Sequence, residues 1–213
     1  LWTHCDWAYI AGSFTALYPT LHYGHSVVEY AKKGRFDPEK AFSIISKYGV
    51  SVIFAIATAF RMMMNAVKNP KERFDLDELR SITVGGENMG ADLYEWGKEA
   101  LNIEFNEYYG MTECDFMVAG CSEIMKVYPG SMGRAIPGHV VEVIDEAGEV
   151  QPPGVYGEFA IKRPDPSIFI GYWGNPEATE QRFIGDWFRT GDLFVRSEKG
   201  YYQIVGRLKD MIR

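Results

Sequence analysis

From about residue 26 to 107 the hydrophobic positions switch repeatedly between two periods. Ser26-Val27-Val28-Glu29-Tyr30 has the β-branched and aromatic texture of a strand. Asp37-Pro38 then predicts a helix start, because Pro is tolerated at the first helical position and Asp accepts from the free N–H groups of the first turn. Ala41, Ile44, Ile45 and Tyr48 recur at helical spacing, and Gly49 closes the segment. Val50 to Ala57 is an uninterrupted apolar run, as expected of a strand covered on both faces. The alternation continues with a helix capped by Thr58 and running to Val67, a strand over Leu79 to Val84, a helix over Ala91 to Leu101 and a strand over Ile103 to Glu107. Strands joined by helices of this length imply right-handed crossovers and a parallel sheet. Ligands of such sheets sit beyond the carboxyl ends of the strands. Gly85-Gly86-Glu87 and Tyr109-Gly110-Met111-Thr112-Glu113 are expected there, on loops along one rim.

Past residue 127 the pattern changes. Pro129-Gly130, Pro137-Gly138, Asp145-Glu146-Ala147-Gly148 and Pro152-Pro153-Gly154 punctuate short alternating strands, Val140 to Ile144 and Gly157 to Ile161. Turns at this density predict an antiparallel sheet or small barrel. A short helix begins at Asn175-Pro176, and a final hairpin runs from about Trp187 to Val205. The expected fold is therefore α/β, a parallel sheet flanked by helices over 1–127, followed by a small antiparallel barrel-like subdomain over 128–205. No internal repeat or low-complexity segment appears.

Composition adds exclusions. The 213 residues are 46% hydrophobic and 15% aromatic, enough for a packed core. A net charge of −7, with basic residues scattered among acids, argues against nucleic acid as a partner. Three cysteines without a CxxC pair suit reduced thiols in the cytoplasm, and four dispersed histidines make no zinc constellation. No apolar run approaches the roughly 20 residues that span a bilayer. The chain begins Leu1-Trp2-Thr3-His4, without an initiator Met, and reads as the middle of something longer.

Four segments carry candidate chemistry. Gly85-Gly86-Glu87, after a strand, lets a flat ligand approach the backbone, or is simply a tight βα turn. Tyr108-Tyr109-Gly110-Met111-Thr112-Glu113 combines an aromatic face for a base, a hydroxyl for a phosphate and a carboxylate for Mg²⁺. The plainer alternative is two core tyrosines and a helix-capping Thr-Glu. In Thr190-Gly191-Asp192 an ionised carboxylate can take two hydroxyl protons, or sits in an ordinary turn. Gly206-Arg207-Leu208-Lys209-Asp210-Met211-Ile212 is a basic turn that could equally be a solvated surface.

In this order and spacing the four segments resemble the adenylate-forming (AMP-binding) acyl-CoA synthetases. Gly130-Ser131-Met132-Gly133-Arg134, Gly157-Glu158 and Gly171-Tyr172-Trp173-Gly174-Asn175-Pro176 extend the resemblance over nearly the whole chain. The resemblance implies Gly85, Gly86 and Glu87 against adenine and Tyr109 stacked on it. It implies Thr112 and Glu113 as catalytic residues, Thr112 at the α-phosphate and Glu113 on Mg²⁺. Asp192 and Arg207 would hold the ribose, and Lys209 would be the hinge of residues 206–213, leading to a C-terminal domain. The implied substrates are ATP, a carboxylic acid and coenzyme A, joined through an acyl-AMP with release of pyrophosphate.

At position 110 acetate-specific members carry Trp, so Gly110 implies an open acyl pocket, an acid longer than acetate, and closure by a tryptophan placed there. The family's phosphate loop and C-terminal catalytic lysine are not in this sequence. The chain is thus expected to be a fragment of the large domain, inactive alone and prone to self-association through exposed apolar surface. Two alternatives stay open: an adenylation domain that loads a carrier protein, and a non-catalytic AMP-binding module.

Overall fold

A computed structural model describes residues 1–31 and 34–210. The chain divides into two compact units, Leu1–Glu107 with Cys121–Pro129, and Tyr108–Gly120 with Gly130–Arg213. The first division therefore falls at Glu107 rather than at Val127, and the segment 121–129 returns to the first unit.

In the first unit the order is β1 (Trp2–Thr3), a π-helical stretch Ala11–Leu17, α1 (Tyr18–His22), α2 (Pro38–Lys47), β2 (Val52–Ala55), α3 (Ala57–Ala66), β3 (Ser81–Val84), α4 (Ala91–Trp96) and the start of β4 (Asn106–Met111). Strands β1 to β4 pair in chain order and in parallel: Trp2 with Ile53, Ile53 with Ile82, and Val84 with Glu107. Helix α2 shows how local chemistry sets the elements. The Asp37 carboxylate accepts from Lys40 N at 3.1 Å, Pro38 opens the first turn, and Ala41, Phe42, Ile44 and Ile45 form the buried face. Those side chains join Ile53, Phe60, Ile82, Leu93 and Phe105 in one core, and burial of such side chains contributes about 1.5–3 kcal/mol each.

Several predicted elements differ in detail. Ser26 to Tyr30 is not a strand: Val28 makes one isolated bridge to Trp2, which leaves its neighbours without a ladder. The apolar run from Val50 yields only β2, because Ile56 already caps α3. Thr58 lies inside the first turn of α3 and is not its cap. The helix from Ala91 is α-helical only to Trp96 and continues to Leu101 with π geometry. Among the described residues no helix is long and apolar enough to cross a membrane.

The second unit is antiparallel. The remainder of β4, Tyr108 to Met111, pairs with β5 (Asp115–Ala119), and β5 pairs with β6 (Arg134–Ala135). A separate sheet has the order β7-β8-β10-β11, from Val141–Ile144, Tyr156–Lys162, Trp187–Arg196 and Tyr202–Arg207. Strand β9 (Phe183–Ile184) adds to β10, and helix α5 (Pro176–Glu180) precedes it. The hydroxyl of Tyr202 in β11 donates to the carbonyl of Val141 in β7 at 2.9 Å, so the two outer strands curl toward each other. Phe159, Phe188 and Phe194 are fully buried within this half-barrel. The expected fold class, a helix-flanked parallel sheet followed by a barrel-like antiparallel subdomain, is what the chain adopts.

Candidate functional site

Within the first unit, one candidate segment is the turn after β3. Gly85 is buried, and Gly86 has φ +80°, a left-handed conformation that favours glycine. Glu87 follows on the surface, where its Oε2 accepts from Thr58 N at 2.9 Å and from Thr58 Oγ1 at 2.6 Å. A carboxylate beside the free N–H groups and positive end of α3 is a favourable arrangement. Arg61, one turn further along α3, donates from Nη2 to the carbonyls of Asn88 and Met89 at 3.1 and 2.6 Å. The turn is thereby held in place before any ligand arrives.

A buried acid closes this turn from below. Glu107 is 1% exposed; its Oε1 accepts from Met89 N at 2.8 Å, and its Oε2 has no hydrogen-bond partner among the described residues. Burial pushes its carboxyl up to about 7, against the opposing effects of the Met89 N–H and Arg61. A carboxyl raised above its ordinary value of 4.5 stabilises the fold most when protonated, so the contribution is full below that value and lost as pH rises through about 7. Wild-type stability in urea should fall by up to about 3 kcal/mol between about pH 5 and about pH 8 from this group alone. Glu107→Gln should flatten that part of the profile; equal slopes in the two proteins would remove Glu107 from the account.

The second unit, taken by itself, holds two clusters. The first is built on β4, β10 and β11. Tyr109 is 9% exposed, its ring edge-on to Phe159 and Phe194 with centroids 5.5 and 4.8 Å away. Its hydroxyl donates to Asp192 Oδ2, and burial together with the Asp192 charge raises the phenol above its ordinary range. Asp192 and Arg207 are register partners across β10 and β11, with Arg207 Nε 3.7 Å from Asp192 Oδ1. Three residues separated widely in sequence thus meet at one carboxylate. Each carboxylate oxygen accepts more than one hydrogen bond, so Asp192 keeps capacity for ligand hydroxyls.

The segment carrying Asp192 is a bulge within β10, not a loop. Gly191 takes φ +80°, and the register with β8 shifts between Arg189 and Leu193. Thr190 Oγ1 donates to the Phe159 carbonyl at 2.7 Å, and Gly191 N donates to Glu158 Oε1 at 2.8 Å. Glu158 is itself buried and paired: Arg189 reaches its Oε2 from Nε at 2.7 Å and from Nη2 at 2.6 Å. Glu158 and Thr190 were not among the sequence-predicted site residues. Their signal was an acid directly before the apolar run Phe159-Ala160-Ile161 and a hydroxyl two residues before the candidate Asp192.

The second cluster is the tip of the β4–β5 hairpin. Tyr108 and Tyr109 lie in β4 and are buried, while Thr112 and Glu113 occupy the turn between Met111 and Asp115. The motif is therefore on a strand and hairpin, and no helix follows for Thr112-Glu113 to cap. Thr112 is exposed and Glu113 is half-buried. Glu113 Oε1 accepts from the Tyr172 hydroxyl at 2.6 Å, and the Glu113 carbonyl accepts from Phe169 N at 2.7 Å. Among the described residues no group of three acids, histidines or cysteines could hold a metal ion. One carboxylate with a remaining oxygen fits Mg²⁺ that arrives with a nucleotide, because Mg²⁺ takes most of its ligands from phosphates and water.

Gly110 lies close against the other strand of this hairpin. A Cβ there would overlap the carbonyl oxygen of Asp115 and lie 2.9 Å from its carbon and 3.1 Å from Phe116 Cα. The position a Cβ would take at Gly110 is thus occupied by the hairpin's own backbone. Lys209 is exposed on a short 3₁₀ turn, Leu208–Asp210, directly after β11. Met211 and Ile212, the end of the hinge motif, lie outside the described residues.

Comparison with known proteins bears on the family and the fold. The chain is 33% identical over 213 residues to acetyl-coenzyme A synthetase of Bacillus subtilis, covering 99% of this chain and 37% of that protein. ATP-bound MatB from Rhodopseudomonas palustris superposes with a TM-score of 0.88 at 30% identity, over 98% of this chain and 40% of that one. The anthranilate CoA ligase AuaEII in complex with anthranoyl-AMP gives a TM-score of 0.87 at 25% identity, over 98% of this chain and 39% of that one. The chain therefore spans well under half the length of these relatives. Residues 1–173 match the family described as AMP-binding enzyme, and with most of its length inside that match the chain belongs to that family.

Proposed function

We propose that the protein containing this chain is an ATP-dependent acid–thiol ligase, which adenylates a carboxylic acid and passes the acyl group to coenzyme A. The observation that carries the reading is the convergence of Tyr109 and Arg207 on the Asp192 carboxylate, a preformed acceptor for vicinal hydroxyls such as those of a ribose. The hairpin tip supports it with an exposed hydroxyl at Thr112 and a partly engaged carboxylate at Glu113. In this reading Thr112 contacts the α-phosphate, Glu113 holds Mg²⁺, Gly85, Gly86 and Glu87 border the adenine, and Lys209 is the hinge. Bound Mg²⁺ supplies charge neutralisation to the phosphates; the chain's own part is to hold and orient the nucleotide. The relatives named for acetyl-coenzyme A and anthranilate ligation support a small carboxylic acid as the second substrate, without setting its length. Free thiols at Cys114 and Cys121 suit a cytoplasmic protein. Exposed Phe14, Tyr18, Leu21 and Tyr23 support self-association of the chain.

The test is pyrophosphate release by the whole protein with ATP, Mg²⁺ and acids from acetate through medium-chain and aromatic carboxylates. Acid-dependent release supports adenylation, and no release with any acid despite nucleotide binding favours a non-catalytic module. Asp192→Ala should remove a charge-assisted contact of about 1.5–3 kcal/mol, which weakens ATP binding roughly 10–100-fold. Unchanged affinity in a calorimetric titration would remove the ribose from Asp192.

A further inference from the structure

Tyr172 lies in a segment that turns two large apolar side chains to solvent. Ile170 and Trp173, on either side of it, are fully exposed, whereas the Tyr172 hydroxyl turns inward to donate to Glu113 Oε1 at 2.6 Å. The segment around it is built to hold that orientation. Tyr172 N donates to Thr179 Oγ1 at 2.9 Å, and Thr179 Oγ1 donates to the Asn175 carbonyl at 3.1 Å. The Asn175 side chain in turn accepts from Ala178 N at 3.0 Å, which fixes the start of α5. The Phe169 ring packs on the Tyr172 ring with centroids 4.8 Å apart, and Phe169 N holds the Glu113 carbonyl at 2.7 Å. One segment thus grips both the backbone and the side chain of a residue 59 positions earlier.

A glutamate at a hairpin tip has several rotatable bonds, and a metal ligand works best when its orientation is set beforehand. We propose that Tyr172 is a positioning residue for Glu113, donating to Oε1 so that the carboxylate is held in one orientation and presents Oε2 as a single-oxygen ligand to nucleotide-bound Mg²⁺. The proposal rests on the reading of Glu113 as the Mg²⁺ ligand. Partners that orient a ligating carboxylate typically contribute 10–100-fold to metal affinity or activity.

The experiment uses the whole protein with ATP and no acid, so that nothing turns over. Nucleotide binding is followed by calorimetry across a range of Mg²⁺, and by the electron paramagnetic resonance of Mn²⁺ in its place. Tyr172→Phe keeps the ring against Phe169 and removes only the hydroxyl. It should raise the Mg²⁺ concentration for half-maximal nucleotide binding about 10-fold and leave metal-free nucleotide binding unchanged. In a Glu113→Gln background, Tyr172→Phe should add no further shift, because the two act through one carboxylate. A Tyr172→Phe protein that melts lower but keeps the wild-type metal dependence, while Glu113→Gln shifts it, would overturn the proposal alone. If Glu113→Gln leaves the metal dependence unchanged, the assignment of Mg²⁺ to Glu113 falls, and the role of Tyr172 falls with it.

Discussion

Replacing Glu158 by alanine is expected to destabilise the protein by about 3 kcal/mol or more. The carboxylate is 6% exposed and serves two partners at once, the Gly191 N–H through Oε1 and the Arg189 guanidinium through Oε2. Removing it leaves a guanidinium without its counter-charge and a bulge N–H without its acceptor, and breaking one side of a buried pair costs more than the pair contributes. Arg189 is about one-third exposed, at 34% of its side chain, so water recovers part of the loss. For a chain of this size the melting temperature should fall by roughly 6–12 °C. Glu158→Gln, which keeps an acceptor for Gly191, should lose less. Nucleotide affinity should fall in the same order, since the bulge that displays Asp192 depends on this anchor. A Glu158→Ala protein melting within about 2 °C of wild type would show that the pair is already solvated and that the bulge stands without it.

The second large effect concerns Gly110. Glycine is needed because the β4–β5 hairpin brings the Asp115 backbone into the space of a side chain at 110. Gly110→Ala should cost about 1–3 kcal/mol, the usual range for a forced backbone shift in a packed site. Gly110→Trp should cost more and displace the turn that carries Thr112 and Glu113, abolishing activity with short and long acids alike. Urea unfolding together with pyrophosphate release on acetate and on a medium-chain acid separates the possibilities. A stable Gly110→Trp protein that has lost only the longer acid would support the view of Gly110 as an opening into an acyl pocket.

Where the sequence read well, the information was local. Asp37-Pro38 sets the start of α2 because both residues act on the first turn they enter. The strands β2 and β3 are legible because short apolar runs between helices have few other places to go. Where it failed, the deciding partner was distant. Thr58 has the side chain of a cap, yet the acceptor at that helix end is Glu87, 29 residues later. The motif around Tyr109 looked like a loop because Gly, Thr and Glu favour turns, but pairing with β5 draws Tyr108 to Met111 into a strand. Asp192 likewise looked like a turn residue, and it lies in a bulge because Glu158 and Phe159 on β8 capture Gly191 and Thr190.

The chain by itself determined the family-like order of four motifs, the parallel-then-antiparallel class and the residues worth examining. All of these are read from residue type, spacing and hydrophobic period. Only the tertiary structure decided that Tyr109 and Arg207 converge on Asp192, that Tyr172 holds Glu113, and that the Asp115 backbone closes on Gly110. The first two depend on contacts between residues far apart in the chain, and the third on how β4 and β5 pair. Such contacts leave no periodicity in the sequence, because the geometry that selects them exists only after the sheets have formed.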